Sequence, residues 1–142
     1  RFIAHTTQAW EFSEADFFQV TGTGGTGAST AFELAIRMIE EEYDPAQYNG
    51  YLFYASDGEN FTEDRAAATT GLARLTELLN YTGYVETVPG SSRVTDTEMK
   101  TICNQLEQAG APLGSCVLNQ PDDIWKAIRK FFLQEAMQGA EA

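Results

Sequence analysis

Tyr51-Leu52-Phe53-Tyr54-Ala55-Ser56-Asp57-Gly58-Glu59-Asn60 is the stretch on which the fold turns. Its first five residues form a nearly continuous apolar run, the pattern of a strand covered on both faces. The run stops abruptly in small and acidic residues. Helical periodicity flanks it. Upstream, Ala31, Leu34, Ala35, Met38 and Ile39 recur at i, i+3, i+4, i+7 and i+8, which predicts a helix from about Ser29 to Tyr43 packed on a sheet. Downstream, Leu72, Leu75, Leu78 and Leu79 point a second helix inward, roughly Glu63 to Asn80. A buried strand between two such helices is the signature of an α/β domain with a mostly parallel central sheet and helices on both faces.

Farther out the alternation continues without a low-complexity linker. Arg1 to Thr7 reads as a strand and Gln8 to Phe12 as its antiparallel return, with Ser13 starting a short helical turn before Phe17-Phe18. Beyond the second helix, Tyr84 to Val88 is a strand. Thr95 with Glu98 is a capping box opening a helix through about Gln108. Ser115 to Leu118 is a last short strand. Pro121-Asp122-Asp123 then opens the final helix, with Ile124, Ile128, Phe131 and Phe132 as its buried stripe and Trp125 at the core or rim. Glu40-Glu41-Glu42 sits at the negative end of its helix and reads as a solvated rim.

Composition narrows the function classes. The 142 residues suit one domain, and 43% hydrophobic with 12% aromatic residues argue against disorder. A net charge of −12 argues against nucleic-acid backbone or anionic membrane surfaces as partners, since both are recognised through Lys and Arg. No apolar run approaches the ~20 residues of a spanning helix. Cys103 and Cys116, the two thiols, read as a reduced pair in a cytoplasmic protein. Two distant thiols and the lone His5 cannot supply a zinc cluster, and a Ser-His-Asp or Cys-His set would have to use His5, at which no sequence feature points a nucleophile; His5 reads as a packed or hydrogen-bonded side chain. The chain opens directly on the strand-like Arg1-Phe2-Ile3-Ala4, and it reads as a piece of something longer.

In parallel α/β sheets, ligands bind beyond the carboxyl ends of the strands. Two loops stand out there. Thr21-Gly22-Thr23-Gly24-Gly25-Thr26-Gly27 contains Gly22-x-Gly24-x-x-Gly27, whose backbone N–H groups could cradle a pyrophosphate at a helix N-terminus. That reading makes the chain a Rossmann-like nucleotide-binding domain. However, the loop lacks the Lys of a P-loop, and Asp57 comes 30 residues after Gly27 rather than ~20. The other reading pairs the loops: a Thr26 hydroxyl and an Asp57 carboxylate are the oxygen ligands that Mg²⁺ takes, with waters filling the rest. On spacing alone the plainer reading prevails, with Thr26 a helix cap and Asp57-Gly58 a helix-entry turn.

A family resemblance weights these readings. His5-Thr6-Thr7-Gln8-Ala9, Glu14-Ala15-Asp16-Phe17-Phe18, Gly24-Gly25-Thr26 with Ser29 and Ala31, Glu40-Glu41-Glu42-Tyr43, Tyr54-Ala55-Ser56-Asp57-Gly58-Glu59-Asn60 and Asp122-Asp123-Ile124-Trp125 occur in this order. In these stretches the chain resembles the YeaH/YhbH family of bacterial proteins, whose C-terminal part is similar to a von Willebrand factor A domain. Pro89 to Gly114 carries the least of the likeness.

The resemblance implies a non-enzymatic interaction domain with a metal-ion-dependent adhesion site. Thr26 and Asp57 would be metal ligands, with Gly24, Gly25, Ser56 and Gly58 supporting the loops. Mg²⁺ or Mn²⁺ would bridge to an Asp or Glu of a partner protein. A stress or sporulation role alongside a serine kinase is also implied. The Asp-x-Ser-x-Ser loop of such sites does not occur in these residues. The resemblance therefore places the first strand, that loop and the following helix before Arg1, and it implies weak or absent metal binding by residues 1–142 alone. The missing strand would sit between the Arg1–Thr7 and Tyr51–Ala55 strands. That leaves a gap to be closed by direct pairing of those two, by another chain in an oligomer or strand exchange, or by an upstream segment. An inert scaffold is the remaining alternative.

Overall fold

The computed structural model describes residues 1–21, 25–88 and 96–140, with side chains through residue 133. Strands β1 (Phe2–His5) and β2 (Ala9–Phe12) form an antiparallel hairpin, Phe2 opposite Phe12 and His5 opposite Ala9. The Arg1 guanidinium clasps Glu11 and Glu42, joining the hairpin to the end of helix α2 (Ala28–Glu42). A one-turn helix α1 (Glu14–Phe17) follows β2, capped by Ser13, whose hydroxyl oxygen accepts from Asp16 N at 3.2 Å.

The main sheet is parallel, in the order β3 (Tyr51–Ser56), β4 (Tyr81–Thr87), β5 (Leu113–Leu118). Helix α3 (Arg65–Leu78) connects β3 to β4 after a 3-10 turn at Thr62–Asp64, and α4 (Glu98–Gln108) lies between β4 and β5. Helix α5 (Ile124–Ala140) follows the 3-10 turn at Pro121–Asp123. Because strand side chains alternate, Tyr54, Thr82, Tyr84, Glu86 and Leu113 share one face. There they meet Phe32, Leu72, Leu75, Met99 and Ile102, each at most 2% exposed. Burying a side chain of this size stabilises by about 1.5–3 kcal/mol. The opposite face carries α5, where Ala127 and Phe131 pack on Tyr81, Val85, Cys116 and Leu118.

Several expectations change. The Tyr51–Ala55 run is not covered on both faces: β3 is an edge strand, with Tyr51 42% and Phe53 52% exposed, because α5 lies chiefly over β4 and β5. In the final helix Ala127 and Phe131 are buried, whereas Ile124, Ile128 and Phe132 face outward for lack of a covering layer; Trp125 is exposed. Phe32 replaces Leu34 in the buried stripe of α2. Strand β4 begins three residues earlier than its apolar run, at Tyr81. Thr95 lies outside the described residues; α4 is capped instead by Thr97, which accepts from Lys100 N at 3.2 Å. Both cysteines are free, Cys103 buried and Cys116 half-buried.

Hairpin and main sheet remain separate, so β1 and β3 do not pair directly. They communicate through side chains: His5 Nε2 lies 3.1 Å from the Tyr54 hydroxyl. One edge of β1 and one of β3 have no strand partner among the described residues. No helix of the described residues is long and apolar enough to cross a membrane.

Candidate functional site

At the carboxyl end of β3 the chain makes a tight turn that its own side chains hold. The Ser56 hydroxyl oxygen accepts from Gly58 N at 3.0 Å, and Asp57 Oδ1 accepts from Glu59 N at 3.1 Å. This leaves the Asp57 carboxylate exposed at the tip. Gly58 is required here on two grounds. Its φ of +86° is disfavoured for L side chains, and a Cβ would sit 2.6 Å from both Glu86 Oε2 and Thr97 Oγ1. Its carbonyl accepts from Met99 N at 3.2 Å, fastening the turn to α4.

The second loop enters α2 through Gly25, Thr26 and Gly27. Gly27 has no side chain to cap the helix, and the segment after β3 supplies the caps. Asn60 Oδ1 accepts from Ala28 N at 2.9 Å, Asp64 Oδ2 accepts from Ser29 N at 3.0 Å, and the Ser29 hydroxyl donates to Asp64 Oδ1. Phe61 N donates to the Thr26 carbonyl at 3.0 Å, while Gly27 N donates to the Thr6 carbonyl at 2.8 Å. Gly25 lies flat against the Phe61 ring, where a Cβ would come within 2.0 Å of it. The positive end of α2 is thus occupied by the protein's own Asp64 carboxylate.

Both loops open on one cleft of about 540 Å³, lined by Gly25, Thr26, Asp57, Gly58, Glu86 and Thr97 among others. Of the expected residues, Thr26, Asp57, Gly25 and Gly58 come together here. Ser56 stands behind the turn, 3.2 Å from the Tyr84 hydroxyl, and Gly24 lies outside the described residues. Glu86, 3% exposed, was not singled out from the sequence. Its Oε2 accepts from the Tyr84 hydroxyl at 2.9 Å and the Thr97 hydroxyl at 2.6 Å. Its signal was a carboxylate in the otherwise β-forming run Tyr84-Val85-Glu86-Thr87-Val88. Asn60 and Asp64 were also missed, because a cap contributed from another segment leaves no local pattern.

Burial sets the electrostatics behind the cleft. The Tyr84 phenol is pushed far up by desolvation, the Tyr54 phenol up to about 12, and the Cys103 thiol up to about 12, so none of the three ionises near neutrality. Desolvation likewise holds the His5 imidazole below its ordinary value. On the rim, Arg65 pairs with Glu98 at 2.7 Å. As a metal site the cleft offers oxygen donors of the right kind, the Thr26 hydroxyl and the Asp57 carboxylate, which are two of the roughly six that Mg²⁺ takes. Among the described residues, no three His, Cys, Asp or Glu side chains gather closely enough to hold a metal ion.

Residues 1–135 match the profile of a family described as "Protein of unknown function (DUF444)". The chain is 36% identical over 129 residues to a UPF0229 protein of Ruminiclostridium cellulolyticum, covering 91% of this chain and 32% of that one. It is 38% identical over 135 residues to one of Halalkalibacterium halodurans, covering 94% and 33%. To one of Serratia proteamaculans it is 35% identical over 135 residues, covering 92% and 30%. The chain therefore spans about a third of the length of the curated relatives it matches. No solved structure matches it.

Proposed function

Since the chain belongs to the DUF444 family and spans about a third of its relatives' length, we propose that it is most of a von Willebrand A-like interaction domain. In the intact bacterial protein, Thr26 and Asp57 would hold Mg²⁺ or Mn²⁺ together with donors from outside these residues. The ion would be offered to an Asp or Glu of a partner protein; the site binds and does not turn over. The observation that carries this reading is that Thr26 and Asp57, 31 residues apart in sequence, line a single cleft at the carboxyl end of a parallel strand. The separation of hairpin and sheet supports it too. Among the described residues both β1 and β3 keep an unpaired edge, and His5 and Tyr54 reach toward each other between them.

Titrating Mn²⁺ into the intact protein and its Asp57→Ala variant tests the reading. Binding in the wild type should fall at least tenfold in the variant, and equal binding by both removes Asp57 from the site. For residues 1–142 alone, binding is expected to be weak or absent. The nucleotide reading draws less support, because the Ala28 and Ser29 amides a phosphate would use are bonded to Asn60 and Asp64. A thermal shift of several degrees with ATP or NAD, and none with Mn²⁺, would reverse that order.

A further inference from the structure

We infer that Glu86 is a further functional residue of this cleft: a buried charge that strengthens cation binding at Asp57 without itself being a ligand. The inference rests on the metal-site reading above and adds a residue to it. In the sheet register Glu86 stands opposite Ser56, the residue before Asp57, and both carboxylates line the one cleft. Glu86 is 3% exposed, and its hydrogen-bond donors among the described residues, the Tyr84 and Thr97 hydroxyls, are neutral. Among the described residues it takes part in no ion pair; Arg65 is paired with Glu98, which lines the cleft. Among the described residues this carboxylate, withdrawn from water, has neutral donors and no counter-charge to offset its desolvation. A divalent ion in the cleft supplies that counter-charge. Its attraction to Glu86 is weakened less by solvent than an attraction between surface groups would be, because one partner lies in the interior.

The hydrogen bonding makes a clean test possible. Both hydroxyls converge on the same oxygen, Oε2, so the amide oxygen of a Glu86→Gln variant can accept both bonds while the charge is removed. In the intact protein without metal, Glu86→Gln should melt at or above the wild-type temperature. Its Mn²⁺ affinity, read by electron paramagnetic resonance or calorimetry, should be about tenfold weaker. Glu86→Asp keeps the charge and shortens the arm. It should melt lower yet bind Mn²⁺ within about threefold of wild type, and this variant carries the test if Glu86→Gln does not fold. Mn²⁺ affinity of Glu86→Gln equal to wild type, or Glu86→Asp losing tenfold or more, overturns the inference by making Glu86 a scaffold acceptor. Asp57→Ala is measured alongside. If it binds Mn²⁺ like wild type, or if the wild type binds none, the metal-site reading itself fails; loss in Asp57→Ala with no loss in Glu86→Gln removes Glu86 alone.

Discussion

The two faces of the β3–β4–β5 sheet are unequally finished. On one, Tyr54, Thr82, Tyr84 and Leu113 are at most 9% exposed beneath α2, α3 and α4, and the polar cleft opens at the end of this sealed layer. On the other, α5 covers β4 and β5 but leaves Phe53 52% exposed, beside an apolar groove of about 400 Å³ lined by Phe53, Ile128, Phe131 and Phe132. The difference teaches where stability resides. A parallel sheet needs cover on both sides, and here the cohesive energy is concentrated in the layer that also aims the loops.

Four outcomes would sharpen or break that contrast. The largest is expected in the sealed layer: Leu72→Ala, at 1% exposure, should cost about 3–4 kcal/mol in urea unfolding. Next is the turn that closes the cleft. Gly58→Ala should cost about 2–3 kcal/mol, since positive φ and the approach to Glu86 and Thr97 are both violated. A smaller effect concerns pH. Burial lowers the His5 pKa in the folded chain, so the unfolded chain binds a proton that the folded one resists, although the nearby Asp64 opposes this. Stability attached to His5 is then complete above about pH 6.5 and is lost as pH falls through the lowered folded value. His5→Gln should flatten the slope of stability between pH 5 and 7. The smallest effect belongs to the open face, where Phe53→Ser should cost about 1 kcal/mol or less, its ring meeting Phe131 and Phe132 only at centroid distances of 6.1 and 6.0 Å. A Phe53 penalty equal to that of Leu72 would mean that the two faces are equally cohesive.

Periodicity made most of the elements legible. The hairpin, the Ser13 turn, α2, α3, α4 and β5 lie within a few residues of their sequence readings, because each has a repeating pattern or a local cap. What periodicity could not convey is which apolar residues have something to pack against. Phe53, Ile124, Ile128 and Phe132 have the composition of core residues, and yet they are exposed along a groove, because α5 lies chiefly over β4 and β5. The cleft divided in the same way. Thr26 and Asp57 were visible as loop residues after apolar runs. Asn60 and Asp64 act across 32 and 35 residues through hydrogen bonds that leave no local spacing, whereas Glu86 showed itself only as a carboxylate in a β-forming run.

The capping of α2 by Asn60 and Asp64 has a consequence for the order of synthesis. The helix is translated first, but its first turn is completed by acceptors 32 and 35 residues later in the chain. As the polypeptide leaves the ribosome, α2 thus emerges with an unfinished end and acquires its proper starting point only once β3 and the turn behind it have followed. The caps of the helix are therefore delivered by the same segment as the Asp57–Gly58 wall of the cleft, and a chain halted before Asn60 lacks both capping acceptors.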